Sequence, residues 1–169
     1  PVATEVLQTL DGPWSVSFEP GRGAPAEACF ESLHCWTRSS DPGVRYFSGA
    51  AVYSRTLEVP PAWVAKGSRV MLDLGVVHEL AVVSLNGVVV QTAWRPPYTV
   101  DLSDVLRPGA NTLEIRVVNL WPNRLIGDRQ AGASPVAFAP MSPYQATSPL
   151  LPSGLLGPVR LLGITAEPS

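Results

Sequence analysis

The run Asn119-Leu120-Trp121-Pro122-Asn123-Arg124-Leu125-Ile126-Gly127-Asp128 places an aromatic ring, an amide, a guanidinium and a carboxylate within a few residues. An aromatic plane can cover the apolar face of a sugar ring. Asn, Arg and Asp supply planar polar groups that match paired hydroxyls. The same residues also have a structural reading, in which Arg124 and Asp128 hold each other and the loop, and Trp121 belongs to the core. In that reading the Arg124 fork anchors the segment through Asp128 or loop carbonyls, a geometry Lys cannot reproduce. Trp94 and Tyr98 follow a different strand pair. If the strand ends converge, they join Trp121 in one aromatic platform with Asn123, Arg124 and Asp128 at its rim.

Other chemistry finds little support in the chain. Glycoside hydrolysis needs two carboxyl groups facing each other across a sugar, about 5–10 Å apart, and no acidic pair stands out. Asp101 and Asp104 flank a short turn, where capping accounts for them, and Glu114 lies on a polar strand face. The chain has no Gly-x-Ser-x-Gly elbow, its two histidines are His34 and His78, and Gly21-Arg22-Gly23 is a turn and not a phosphate loop. We therefore expect no catalytic residues in the isolated chain. Cys29, Cys35 and His34 are too few for a zinc site. The two cysteines are compatible with a small disulfide or with buried free thiols. No cofactor is expected. A structural calcium would need several carboxylates among six to eight oxygens, and no ligand set can be assigned to one.

The segments that must position these groups alternate with period two. Trp14, Val16 and Phe18 alternate with serines. Similar patterns run through 53–59, 69–74, 80–85, 88–92, 99–102, 113–117 and 159–164, giving about eight short strands. Asn86-Gly87 between two of them predicts a type I′ hairpin, since both positions tolerate positive φ. Ser103–Leu106 is the one expected helical turn, with Ser103 as cap and Pro108-Gly109 as stop. Residues 19–45 and 121–158 are long, Pro- and Gly-rich connections, and Val136, Phe138, Met141 and Tyr144 predict that the second packs over the sheets. A length of 169 residues suits a single β-sandwich over residues 1–169. The net charge of −2, with scattered basic residues, argues against a nucleic-acid partner. No apolar run approaches the roughly 20 residues that span a bilayer, and no signal peptide is evident. The chain starts at Pro1 and reads as a fragment or processed product.

The order of motifs carries a resemblance. Tyr46-Phe47-Ser48-Gly49-Ala50-Ala51-Val52-Tyr53-Ser54-Arg55-Thr56 is followed by Leu72-Asp73-Leu74-Gly75 and by Ala81-Val82-Val83-Ser84-Leu85-Asn86-Gly87. Trp94-Arg95-Pro96-Pro97-Tyr98-Thr99-Val100-Asp101, Pro108-Gly109-Ala110-Asn111-Thr112-Leu113-Glu114-Ile115, the Asn119–Asp128 run and Ser153-Gly154-Leu155-Leu156-Gly157-Pro158-Val159 complete it. From Leu10 to Leu162 the chain resembles the galactose-binding-like jelly-roll "sugar-binding" domain of family 2 glycoside hydrolases. Within that group it is most similar to the version near the C-terminus of large bacterial α-L-rhamnosidase-like proteins. The Pro/Ser-rich segment 129–152 is longer than the usual family 2 connection.

The resemblance implies an all-β, antiparallel jelly-roll sandwich cut from a larger glycoside hydrolase. Many such domains are similar in carrying a structural calcium. The expected role is a non-catalytic carbohydrate-binding or accessory domain. Its partners would be a carbohydrate or the catalytic domain of the same polypeptide, in an extracellular or periplasmic setting. The alternatives are a purely structural domain with no sugar affinity and a protein-interaction sandwich. A packing role would show the polar residues internally paired beside an exposed apolar patch.

Overall fold

The computed structural model describes residues 2–166. Twelve strands form two main sheets and a small pair. In chain order they are β1 (Val2–Thr9), β2 (Trp14–Phe18), β3 (Glu27–Phe30), β4 (Ala50–Val59), β5 (Arg69–Asp73) and β6 (Val76–His78). There follow β7 (Leu80–Leu85), β8 (Val88–Ala93), β9 (Thr99–Asp101), β10 (Gly109–Val118), β11 (Gly154–Gly157) and β12 (Arg160–Ala166). One sheet runs β3-β2-β4-β10-β7-β8, the other β1-β12-β5-β9, and β11 pairs with β6. The paired strands are antiparallel throughout.

The antiparallel sandwich is the architecture that the alternation predicts, because period-two patterns place one apolar face per strand toward a shared core. Trp14, Val16 and Phe18 are buried while Ser15 and Ser17 are exposed. Val70, Leu72 and Leu74, Val83 and Leu85, and Leu113, Ile115 and Val117 join them in a single apolar cluster. Each large side chain so buried contributes about 1.5–3 kcal/mol. Four strands exceed the expected eight: β1, β3, β6 and β11. Of these, β6 and β11 are only three and four residues long and pair with each other, so their pattern is too brief to read without the partner.

Helical structure departs from expectation. Ser103–Leu106 is a turn and not a helix: Val105 and Leu106 both donate to the Leu102 carbonyl. The Ser103 side chain accepts from the Val70 N–H and donates to Asp101, so it fastens a sheet corner instead of capping a helix. Short helices form instead at α1 (Pro42–Arg45) and α2 (Pro122–Gly127), each with Pro in its first turn, where the missing N–H costs nothing. The segment 19–45 is also more ordered than its composition suggests. It supplies β3, α1 and a 3-10 turn at Trp36–Arg38, and lays Phe30, Trp36 and Val44 into the core. Trp36 Nε1 donates to Tyr53 Oη at 2.6 Å, and burial pushes the Tyr53 phenol well above its ordinary pKa. Cys29 and Cys35 are free thiols, the first exposed and the second partly buried.

Candidate functional site

Strand β10 delivers the site by ending at Val118, directly before Asn119. The Asn119 side chain is committed to the loop before β4: Oδ1 accepts from Gly49 N–H at 2.9 Å and Nδ2 donates to the Phe47 carbonyl at 2.8 Å. Between those two residues, Ser48 Oγ accepts the Arg124 N–H at 3.0 Å and so satisfies a donor in the first turn of α2. Sequence reasoning did not single out Ser48, because a hydroxyl next to a glycine carries no signal until its long-range donor is known.

Asn123, Arg124, Ile126 and Gly127 face inward. Asn123 is buried and holds residue Leu151 twice, donating to its carbonyl and accepting from its N–H, both at 2.8 Å. Asp128 accepts the N–H groups of Val136 and Ala137 at 3.0 and 2.8 Å. Its Oδ1 also lies 2.9 Å from Arg124 Nε, with side chains only 10% and 7% exposed. Gln130 donates to the Ile126 and Ala146 carbonyls. Asn123, Asp128 and Gln130 thus pin residues 129–152 at both ends and in the middle. Gly127 is needed for the close approach: a Cβ there would meet Arg124 Nη2 and the Tyr46 side chain at 2.5 Å. The expected Arg124–Asp128 pairing is present, although the carboxylate does most of the loop fastening and the loop carbonyls accept nothing from the guanidinium.

The apolar residues of this segment do not pack over the sheets as their composition predicts. Phe138 is 96% and Met141 91% exposed, and Val136, Leu151, Leu120 and Trp121 are also exposed. The reason is the fastening itself: side-chain bonds to the backbone of 136, 137, 146 and 151 fix the arm's path, and the tip between them has no core to reach.

Ala93 of β8 and Val117 of β10 both pair with Ala81 of β7, so Trp94 and Trp121 follow strands that end at the same end of the sheet. Trp94 is 65% exposed, and Arg95 lies over its ring at 5.0 Å. Tyr98 is half-buried and donates to the Glu79 carbonyl at 3.1 Å beside a cleft of about 350 Å³. The clefts beside Trp94 and Tyr98 are lined by neither Trp121 nor Arg124. Trp121 is 47% exposed with the Arg22 guanidinium 4.6 Å from its ring centre. Arg22 is set by Glu19, whose carboxyl also accepts the Ala50 N–H. The Ala50 N–H, helped by Arg22, holds the Glu19 carboxyl below its usual pKa against the opposing effect of burial. Among the described residues no group of three or more His, Cys, Asp or Glu could hold a metal ion, and no helix is long and apolar enough to cross a membrane.

No family model matches the chain. A protein of Formosa agariphila named "Putative beta-glucuronidase" is 34% identical over 90% of this chain and 15% of its own length. A solved rhamnosidase from Novosphingobium sp. PP1Y is 50% identical with a TM-score of 0.92, covering 95% of this chain and 15% of that one. A β-glucuronidase from Ruminococcus gnavus, solved with D-glucuronic acid, shares the fold alone: TM-score 0.56, 22% identity, 70% of this chain and 22% of that one. The chain thus corresponds to a small part of much larger glycoside hydrolases.

Proposed function

We propose that this chain is a non-catalytic accessory β-sandwich of a rhamnosidase-like glycoside hydrolase, seated on the catalytic domain of the same polypeptide through the arm at 129–152. The observation that carries this reading is the division of labour in the loop region. The polar groups of Asn123 and Asp128 are consumed holding the arm, and those of Asn119 holding the loop before β4, while Phe138 and Met141 project from the arm almost fully exposed. Two large apolar side chains held out on a fastened arm fit a missing protein surface better than they fit water. The 15% coverage of the larger relatives supplies the partner's source. In the full-length polypeptide, hydrogen exchange across residues 136–142 should be slowed relative to the isolated chain. Phe138→Ser with Met141→Ser should restore fast exchange there. Equal exchange in the two contexts would defeat the docking reading.

Carbohydrate binding at an exposed tryptophan is a second reading, supported by the exposure of Trp94 and Trp121. A pyranose stacked on one ring would bind at about 0.1–1 mM, since few atoms are desolvated. Indole N–H signals that stay fixed through titration with a panel of mono- and oligosaccharides would remove it.

A further inference from the structure

Arg124 is only 6% exposed, yet its guanidinium is poorly partnered. Nε stands 2.9 Å from Asp128 Oδ1, but its N–H is not directed at that oxygen and finds no hydrogen-bond acceptor. Among the described residues Nη1 and Nη2 donate to no protein acceptor, and the backbone N–H of Arg124 is shared between Ser48 Oγ and the Trp121 carbonyl. A guanidinium carries five donors in a fixed fork; Nε is the one buried without a partner, while Nη1 and Nη2 face the cleft, where a ligand can supply acceptors in place of water.

The guanidinium does not face a closed core. It lines a cleft of about 610 Å³ between the α1 loop and the start of the arm, with Gly23, Arg45, Tyr46, Gln130 and Ser134. Nη1 lies at the Gly23 wall, 3.1 Å from where a Cβ would stand, so a side chain there would crowd the fork, and the φ of 87° also favours glycine. No Asp or Glu lines the cleft among the described residues. Asp128 offsets the charge from behind Nε, and the neighbouring Asp41 is committed to the Gly43 N–H at 2.7 Å. Arg45 adds a second cation at the mouth.

From this geometry we infer that the cleft is a carboxylate-binding site, with Arg124 as the recognition residue and a small sugar acid as the ligand. A carboxylate is planar and presents two oxygens that match Nη1 and Nη2 together. The rim selects a hydroxylated carboxylate: the Tyr46 phenol, the Ser134 hydroxyl and the Gln130 amide oxygen can meet ring hydroxyls, and a pyranose fits within the cleft volume. This inference does not rest on the docking of the arm: the start of the arm forms one cleft wall, but neither Phe138 nor Met141 takes part.

The test is an NMR titration of the isotopically labelled chain with D-glucuronate, D-glucose and acetate, reading the amides of Gly23, Gly43, Gly127 and Ser134. Glucuronate should shift them with saturation at about 1 mM, acetate should bind about tenfold more weakly, and glucose should shift none. Arg124→Met should abolish the shifts. That variant also removes the Asp128 partner, so Ala133→Phe serves beside it. Ala133 is exposed on the cleft wall, and a ring there fills the space without touching the ion pair. It should lose glucuronate binding with an unchanged unfolding midpoint. Glucose binding as well as glucuronate, or no shift up to about 100 mM glucuronate, would overturn the site. Unaltered binding in folded Ala133→Phe would do the same. Acetate binding as tightly as glucuronate would refute the sugar-acid ligand. Failure of the docking test leaves each of these readouts unaffected.

Discussion

Asn111 and Asn119 are both buried, one inside the start of β10 and the other just beyond its end, and the regions they organise differ in kind. Asn111 closes a compact corner. Its Oδ1 accepts from the Arg107 N–H and from Asn86 Nδ2, and its Nδ2 donates to the Arg107 and Gly109 carbonyls. Asn86, at φ 52°, uses its remaining oxygen on the Thr112 N–H, so the hairpin tip and the Pro108-Gly109 turn are sewn together with no group left over. Asn119 opens a region with the same kind of bonds but longer reach, to Phe47 and Gly49, and from there through α2 to the arm. That region retains an under-partnered guanidinium, an open cleft and two exposed apolar side chains. A corner whose groups are all satisfied stabilises and does nothing else. A region with unmet groups held rigidly is where a ligand or partner can add free energy.

The largest effect should come from Asp128→Ala. It orphans a buried cation and two arm amides, and should cost about 3–5 kcal/mol, read as a lower denaturant midpoint at unchanged slope. Asn111→Ala breaks the sealed corner and should cost about 2–3 kcal/mol, since its backbone partners can still reach water at the turn. If Asn111→Ala costs more than Asp128→Ala, the corner and not the open region is the better-invested end. Asn123→Ala should cost about 1–2 kcal/mol, because it frees only the Leu151 groups. Its signature is local: limited proteolysis should speed up within 129–152, while Asn111→Ala leaves that rate unchanged.

The smallest effect is a control from the other sheet. Asp101 sits near a pKa of about 2, held down first by the Ser103 hydroxyl and then by Arg69. A carboxyl lowered from the usual value of about 3.9 stabilises the fold above that value and loses the contribution as pH falls toward about 2. Because the Arg69–Asp101 pair is largely solvent-exposed, the effect is slight. Wild type and Asp101→Asn should differ in unfolding midpoint at pH 6 and converge near pH 2. A gap that persists at pH 2 would show that something other than the charge of Asp101 is responsible.

Much of this molecule can be read from the chain without its partners. Alternation placed Trp14, Phe18, Leu72, Leu113 and Ile115 in the core, and Asn86-Gly87 placed the hairpin, where Gly87 takes φ 79°. These are local facts: a period of two and a tolerated dihedral need only neighbours in sequence. The pairing of Arg124 with Asp128 was legible for the same reason, four positions apart. Tertiary structure decided the rest. It turned Trp121–Asp128 from a loop into a helix start because Ser48 meets the Arg124 N–H. It sent Phe138 and Met141 outward because distant backbone groups at 136, 137 and 151 were already bound. It also set Arg124 against Gly23 and Tyr46, 101 and 78 positions away in the sequence but adjoining across one cleft wall. Sequence carries the propensity of each segment, but which polar groups remain unmet depends on who else arrives, and that is settled only when the chain closes on itself.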